Sequence, residues 1–230
     1  ARIRIRTSSD FEALWLQPGF DEMTDPVAGE EATLERAMQR AESHPLSLSL
    51  VGQQVRSLTR LGRLEEATGL AENAIQQLED GEPFEDADAR ANWIMNELAI
   101  RLYAQNRREE ANQWMERSTT LSESGNTNVS QVINYATMLM LQGEHEQALR
   151  TLEGVGRPSD YGEMWIQSVR ACSGHQLGRT EVRDEALNRL EDGWGDNPPA
   201  YQRALLCLDE MDAAAELMLD RLAATPHRNE

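Results

Sequence analysis

From Leu48 the apolar positions fall three and four apart, at Leu48, Val51, Val55 and Leu58, which predicts a helix with one buried stripe. Gly62 interrupts it. The pattern resumes at Leu64, Ala67, Ala71, Ala74 and Ile75 and stops before Gly81, a residue suited to a left-handed helix end. Two helices about a tight break form an αα-hairpin. The same design returns with Met95, Leu98, Ala99 and Leu102 before a break, and Ala111, Met115, Ser118 and Leu121 after it. A third pair carries Val132, Tyr135, Ala136 and Leu139, then a short partner that ends at the Gly154–Pro158 turn. A fourth runs from about Tyr161 to Leu190 and a fifth from about Pro199 to Thr225. Ahead of them, residues 25–45 form a helix with Asp25 and Pro26 at its start and Leu34, Ala37, Met38 and Ala41 as its stripe. Residues 1–24 have no clean period, and "ARIRIRT" reads as an edge strand or an unpaired arm.

The breaks echo one another: "RLGRLEEA" at Arg60, "AQNRREEA" at Ala104, "LQGEHEQA" at Leu141, then "QLGRTEVR" at Gln176 and "CLDEMDAA" at Cys207. The spacing of Gly62, Asn106, Gly143, Gly178 and Asp209 stays near ~34 residues, the first interval being lengthened by the acidic insertion "EDGEPFEDADAR". With a small residue at the break and Ala opening the second helix, residues 46–225 resemble the tetratricopeptide repeat family. Asn106 and Asp209 depart from the glycine of the break, Val55 from the small residue of the first helix, and Arg183 from the opening Ala. The resemblance implies an all-α fold, a right-handed α-solenoid of about five hairpins. It would consist of an irregular arm over 1–24, a capping helix over 25–45, the array over 46–225 and a tail over 226–230.

Composition removes whole classes of chemistry. A net charge of −18 opposes general binding to nucleic acid or to anionic lipid. No apolar run reaches the ~20 residues that a membrane helix needs. All 22 basic residues are arginine, as GC-rich bacterial codon usage would produce, so no lysine exists to form a Schiff base or serve a phosphate loop. Cys172 and Cys207 are expected as packing residues, with a disulfide permitted but not specified. Cys172 and His175 have CxxH spacing, two ligands where a metal site needs three or four. The acidic insertion lacks the order of a calcium loop and reads as a solvated connection. No catalytic constellation, metal site or cofactor is expected.

In the family the resemblance points to, the first helix of each pair lines a concave groove. That implies contact residues Arg56 and Arg60 from the first pair, Trp93, Asn96, Ile100 and Tyr103 from the second, Thr137 and Met140 from the third, and Trp165 and His175 from the fourth. Ile133, Leu141, Ser168 and Cys172 share those faces, with packing between helices the plainer role for Ile133 and Leu141. A lysine-based clamp for acidic C-termini is ruled out by composition, and Gly52 stands where its first residue would be. The expected function is a non-catalytic scaffold that binds a peptide or partner helix. Two alternatives stay open: a regulatory or substrate-positioning part of a larger enzyme, and self-assembly through Leu217, Met218 and Leu222 of the last helix, giving a homodimer. Bacterial periplasm and cytoplasm both fit the chain.

Overall fold

The computed structural model describes residues 25–122 and 128–223 together with Gln17, Gly19 and Phe20; the rest of the N-terminal arm, its "ARIRIRT" stretch included, and the tail expected from the sequence lie outside these. The described residues are helical, without strands, and form α1 (Pro26–Ser43), α2 (Leu48–Arg60), α3 (Leu64–Glu79), α4 (Ala87–Ala104), α5 (Arg108–Thr119), α6 (Val129–Leu141), α7 (His145–Thr151), α8 (Asp160–Gln176), α9 (Thr180–Asp192), α10 (Pro198–Cys207) and α11 (Met211–Ala223). They fall into two compact units: Asp25–Asn134, and Tyr135 onward together with Phe20. The division runs through α6.

One local device makes every hairpin. Gly62, Asn106, Gly143, Gly178 and Asp209 all have positive φ, between 62° and 86°. At the first break the Arg63 amide donates to Leu58 O (2.9 Å) and the Gly62 amide to Thr59 O (3.0 Å), the paired bonds that close a helix on a left-handed residue. The same two bonds recur at the other four breaks. Asn106 and Asp209 are thus equivalents of the glycines, because Asn and Asp tolerate this backbone region better than other L-residues. Arg63 and Arg107, just past their breaks, fork onto Glu66 (2.6 and 2.5 Å) and Glu110 (2.8 and 2.7 Å), which accounts for the repeated "R-x-E-E". These pairs are exposed and add little stability.

In the first unit α1 packs on α2, α2 on α3 and α4, and α4 on α3 and α5. Each first helix therefore touches the next first helix as well as its own partner, as in an α-solenoid. Ala67, Ala71, Ala99 and Ala111 are fully buried at these crossings, around Leu48, Ile75, Leu98 and Leu102. Met38, expected in the buried stripe of α1, is 53% exposed, because Leu34 and Ala37 alone fill the seam with α2. The acidic insertion is more than a solvated connection. Phe84 is buried, and the Asp86 carboxylate accepts the Leu48 and Ser49 amides (2.7 and 2.9 Å), capping α2 from across the repeat while its own Ser47 makes no such bond. Asn128 works the same way, capping α6 through Gln131 N (3.2 Å) and gripping Ser118 O (2.7 Å).

In the second unit α8 packs on α7, α9 and α10, and α10 on α9 and α11. Its core gathers Met164, Ala171, Ala186, Leu190, Ala200, Ala204 and Leu208, with Leu205, Ala214 and Leu217 joining α11 to it. Asn197 caps α10 through Ala200 N (3.3 Å) and bonds Tyr161 O (3.1 Å). Arg183, where an Ala was expected, is accommodated by Gly174: a Cβ there would lie 2.9 Å from Arg183 N. The corresponding residues of the other four pairs are Leu58, Leu102, Leu139 and Leu205, each nine residues before a buried Ala, so the fourth hairpin has its small residue on the first helix and its large one on the second. Cys172 and Cys207 are not free packing residues. They form a disulfide between α8 and α10, with Cα atoms 5.7 Å apart, because those helices pack side by side.

Candidate functional site

On α2, residues 49, 52, 53 and 56 share one face, and on α4 residues 90, 93, 94 and 97 repeat the same spacing. Where the helices run together these faces enclose a cavity of about 270 Å³, lined by Leu48, Ser49, Gly52, Gln53, Arg56, Arg90, Trp93, Ile94 and Glu97. Gly52 keeps it open, since a Cβ there would meet Arg56 Nη1 at 3.3 Å and Ile94 Cδ1 at 3.7 Å. Leu48, Trp93 and Ile94 give it apolar walls; Gln53 and the two arginines supply donors.

Below the cavity is a chain of charges. Glu97 is buried and bonds Arg101 at 2.9 Å and Arg56 at 3.3 Å. Arg101 also donates through Nε to Thr59 Oγ1 (2.6 Å) and through Nη1 to Glu97 O (3.1 Å). Burial, with Arg56 and Arg60 nearby, lowers the Arg101 proton affinity against the opposing pull of Glu97, and the guanidinium stays charged all the same. Arg60 reaches Glu30 at 3.4 Å across an exposed edge. Arg56 and Arg60 are therefore partnered within the chain, and Arg56 is oriented over the cavity by Glu97. Arg90 is held differently, by a 3.1 Å bond from Nε to Ser49 Oγ.

The remaining expected contact residues divide by exposure. Ile100 is 40% exposed and Tyr103 half-buried, both on α4. Asn96 is 2% exposed and accepts a 2.8 Å bond from Asn134 Nδ2, so it joins α4 to α6 instead of offering a contact. In the second unit Met140 is also buried, at 6%, and serves packing, while Thr137 is half-buried. Ile133, Ser168 and Cys172 are buried, whereas Leu141 is exposed. Trp165 is half-buried under Arg203, whose guanidinium carbon lies 4.7 Å from the ring centre, and His175 is exposed near the end of α8. Cys172 is committed to the disulfide, which removes the thiolate that a CxxH ligand pair would need. Among the described residues no three His, Cys, Asp or Glu side chains gather as metal ligands, and no helix is long and apolar enough to cross a membrane. Ser49, Gln53 and Arg90 were not anticipated. Their i, i+3, i+4, i+7 register with Arg56 and Trp93 was the available signal.

The family model of the tetratricopeptide repeat matches residues 93–124. Over those residues the chain is similar to a tetratricopeptide repeat. The match begins at Trp93, on the cavity wall, and takes in the Asn106 break and α5. Tetratricopeptide repeats are protein–protein interaction modules. No curated protein matches the chain.

Proposed function

We propose that the chain is a non-catalytic interaction scaffold, a right-handed solenoid of about five tetratricopeptide-like repeats whose first helices hold an extended peptide or a partner helix. The observation that carries this reading is the α2/α4 cavity, where donors and apolar walls converge, with the exposed Ile100 about one turn beyond Glu97 along α4. Contacts of this kind combine polar orientation with an apolar anchor, the usual division of labour in peptide recognition. The acidic composition directs the proposal to protein partners and away from nucleic acid. The disulfide favours an oxidising compartment over the cytoplasm, since thiols are kept reduced in the latter. The test is selection from a random peptide-display library, comparing the wild type with an Ile100→Asp/Tyr103→Asp variant of unchanged helicity. Peptides enriched on the wild type and lost on the variant support the groove. No enrichment over an unrelated helical protein refutes it.

A second reading rests on α11, where Met211, Met218, Leu219 and Leu222 are 43–66% exposed. Such a face can bury itself against a second copy. Concentration-dependent light scattering, abolished by Met218→Glu/Leu222→Glu, would support self-association; a monomer at all concentrations would exclude it.

A further inference from the structure

Resting on the peptide-binding reading, we infer that the α2/α4 cavity selects an acidic residue adjoining an apolar one: a carboxylate bound between Arg56 and Arg90, and an apolar side chain against Leu48, Trp93 and Ile94. Charge is the first ground. The chain as a whole carries −18, yet around this cavity three arginines, Arg56, Arg90 and Arg101, outnumber two carboxylates, Glu97 and the Asp86 that caps Leu48 and Ser49. With Glu97 already bonded to buried Arg101, the pocket retains positive charge inside an acidic protein, so an incoming carboxylate is favoured here and repelled elsewhere.

Donor geometry is the second. Arg90 is anchored through Nε to Ser49 Oγ, and its Nη groups meet no acceptor among the described residues. Arg56 spends Nη1 on Glu97. A planar guanidinium held at one nitrogen still presents a fork of donors suited to a carboxylate. Gln53 stands on the same wall with a further amide donor.

Space is the third. About 270 Å³ lies just under the ~300–1,000 Å³ that encloses a whole small ligand, which fits one or two side chains of a longer chain instead. Gly52 sits within α2, where glycine weakens a helix by ~1 kcal/mol relative to Ala. A Cβ at this position would crowd the Arg56 guanidinium and touch Ile94, and a larger side chain would occupy cavity space.

The probes are three fluorescein-labelled heptapeptide pools with random flanks and a central Asp-Leu, Asn-Leu or Asp-Ala, titrated by fluorescence anisotropy. The wild type should bind the Asp-Leu pool about tenfold more tightly than either of the others, as expected for one charge-assisted contact or one buried side chain. Arg90→Ala should abolish the Asp-over-Asn preference and keep the Leu-over-Ala preference. Gly52→Val should weaken the Asp-Leu pool toward the Asn-Leu level; Arg90→Ala keeps the test decisive if that variant misfolds. Equal binding of all pools by the wild type, or an Asp preference that survives Arg90→Ala, overturns the inference. If display-selected peptides bind while no pool does, the acidic–apolar class is wrong and the groove stands. If neither binds, the peptide-binding reading falls with it.

Discussion

The Cys172–Cys207 bond closes a loop with a sequence separation of 35 residues, spanning the end of α8, all of α9 and all of α10. Cross-linking a loop of that length removes about 13 cal/mol/K of entropy from the unfolded chain, or about 4 kcal/mol at 25 °C. Such a term is large against the ~5–15 kcal/mol by which whole domains are stable. In a stack of repeats it also acts locally, because each hairpin is held only by its neighbours. The terminal hairpin needs the help. α11 buries Ala214 and Leu217 against α10 and leaves most of its large apolar side chains in solvent. Without the bond, α10 and α11 rely on the Ala-rich contact of Ala200 and Ala204 with α8.

The perturbation is reduction with a phosphine, alongside a Cys172→Ala/Cys207→Ala variant, and the assay is amide hydrogen exchange read by peptide. Reduction should lower protection across 160–223 by up to about a thousandfold, the equivalent of 4 kcal/mol, and leave 48–119 unchanged. The double variant should exchange like the reduced protein and ignore the reductant. Alkylation of denatured, unreduced protein that finds two free thiols would refute the bond. A reductant effect below tenfold, or an equal effect in the variant without cysteines, would refute the local-staple account.

Three further outcomes follow from the geometry. Glu97→Gln should cost about 3–5 kcal/mol in urea denaturation, because it strands the buried Arg101 charge; Arg60→Ala, at an exposed pair, should cost under about 1 kcal/mol. Gly174→Ala should destabilise by about 1–3 kcal/mol, since the added Cβ meets Arg183 backbone; a stabilised variant, as helix propensity alone predicts, would show that the helices can move apart. Asp86→Ala should cost about 0.5–2 kcal/mol at pH 7. Burial opposes the Asp86 charge, but bonds from the Ser49 side chain and from the Ser49 and Leu48 amides outweigh it and hold the carboxyl below its ordinary value. Its contribution is therefore complete above the unfolded value of ~3.9 and is lost as pH falls through the lower folded value. The difference between wild type and Asp86→Ala should shrink at pH 2–3, and a difference that stays constant with pH would reject the cap.

The breaks were legible because the left-handed turn demands a residue type at one position, and Gly, Asn and Asp all satisfy the demand. The Arg183 exchange was not, because its compensation at Gly174 lies on the opposite helix and only packing connects the two. The candidate site was half legible for a related reason. Helical spacing showed that Arg56 and Trp93 share faces of first helices, but a helix inside a stack has two buried flanks. α4 turns positions 90, 93, 94 and 97 toward α2, and positions 92 and 96 toward Gln131 and Asn134 of α6. Only a narrow strip between those flanks reaches solvent, and Ile100 lies on it while Asn96 does not. Periodicity reports that a face is apolar or polar without saying which neighbour it meets. A polar residue such as Asn96 therefore reads as a contact in the sequence when its amide partner, Asn134, stands one repeat away.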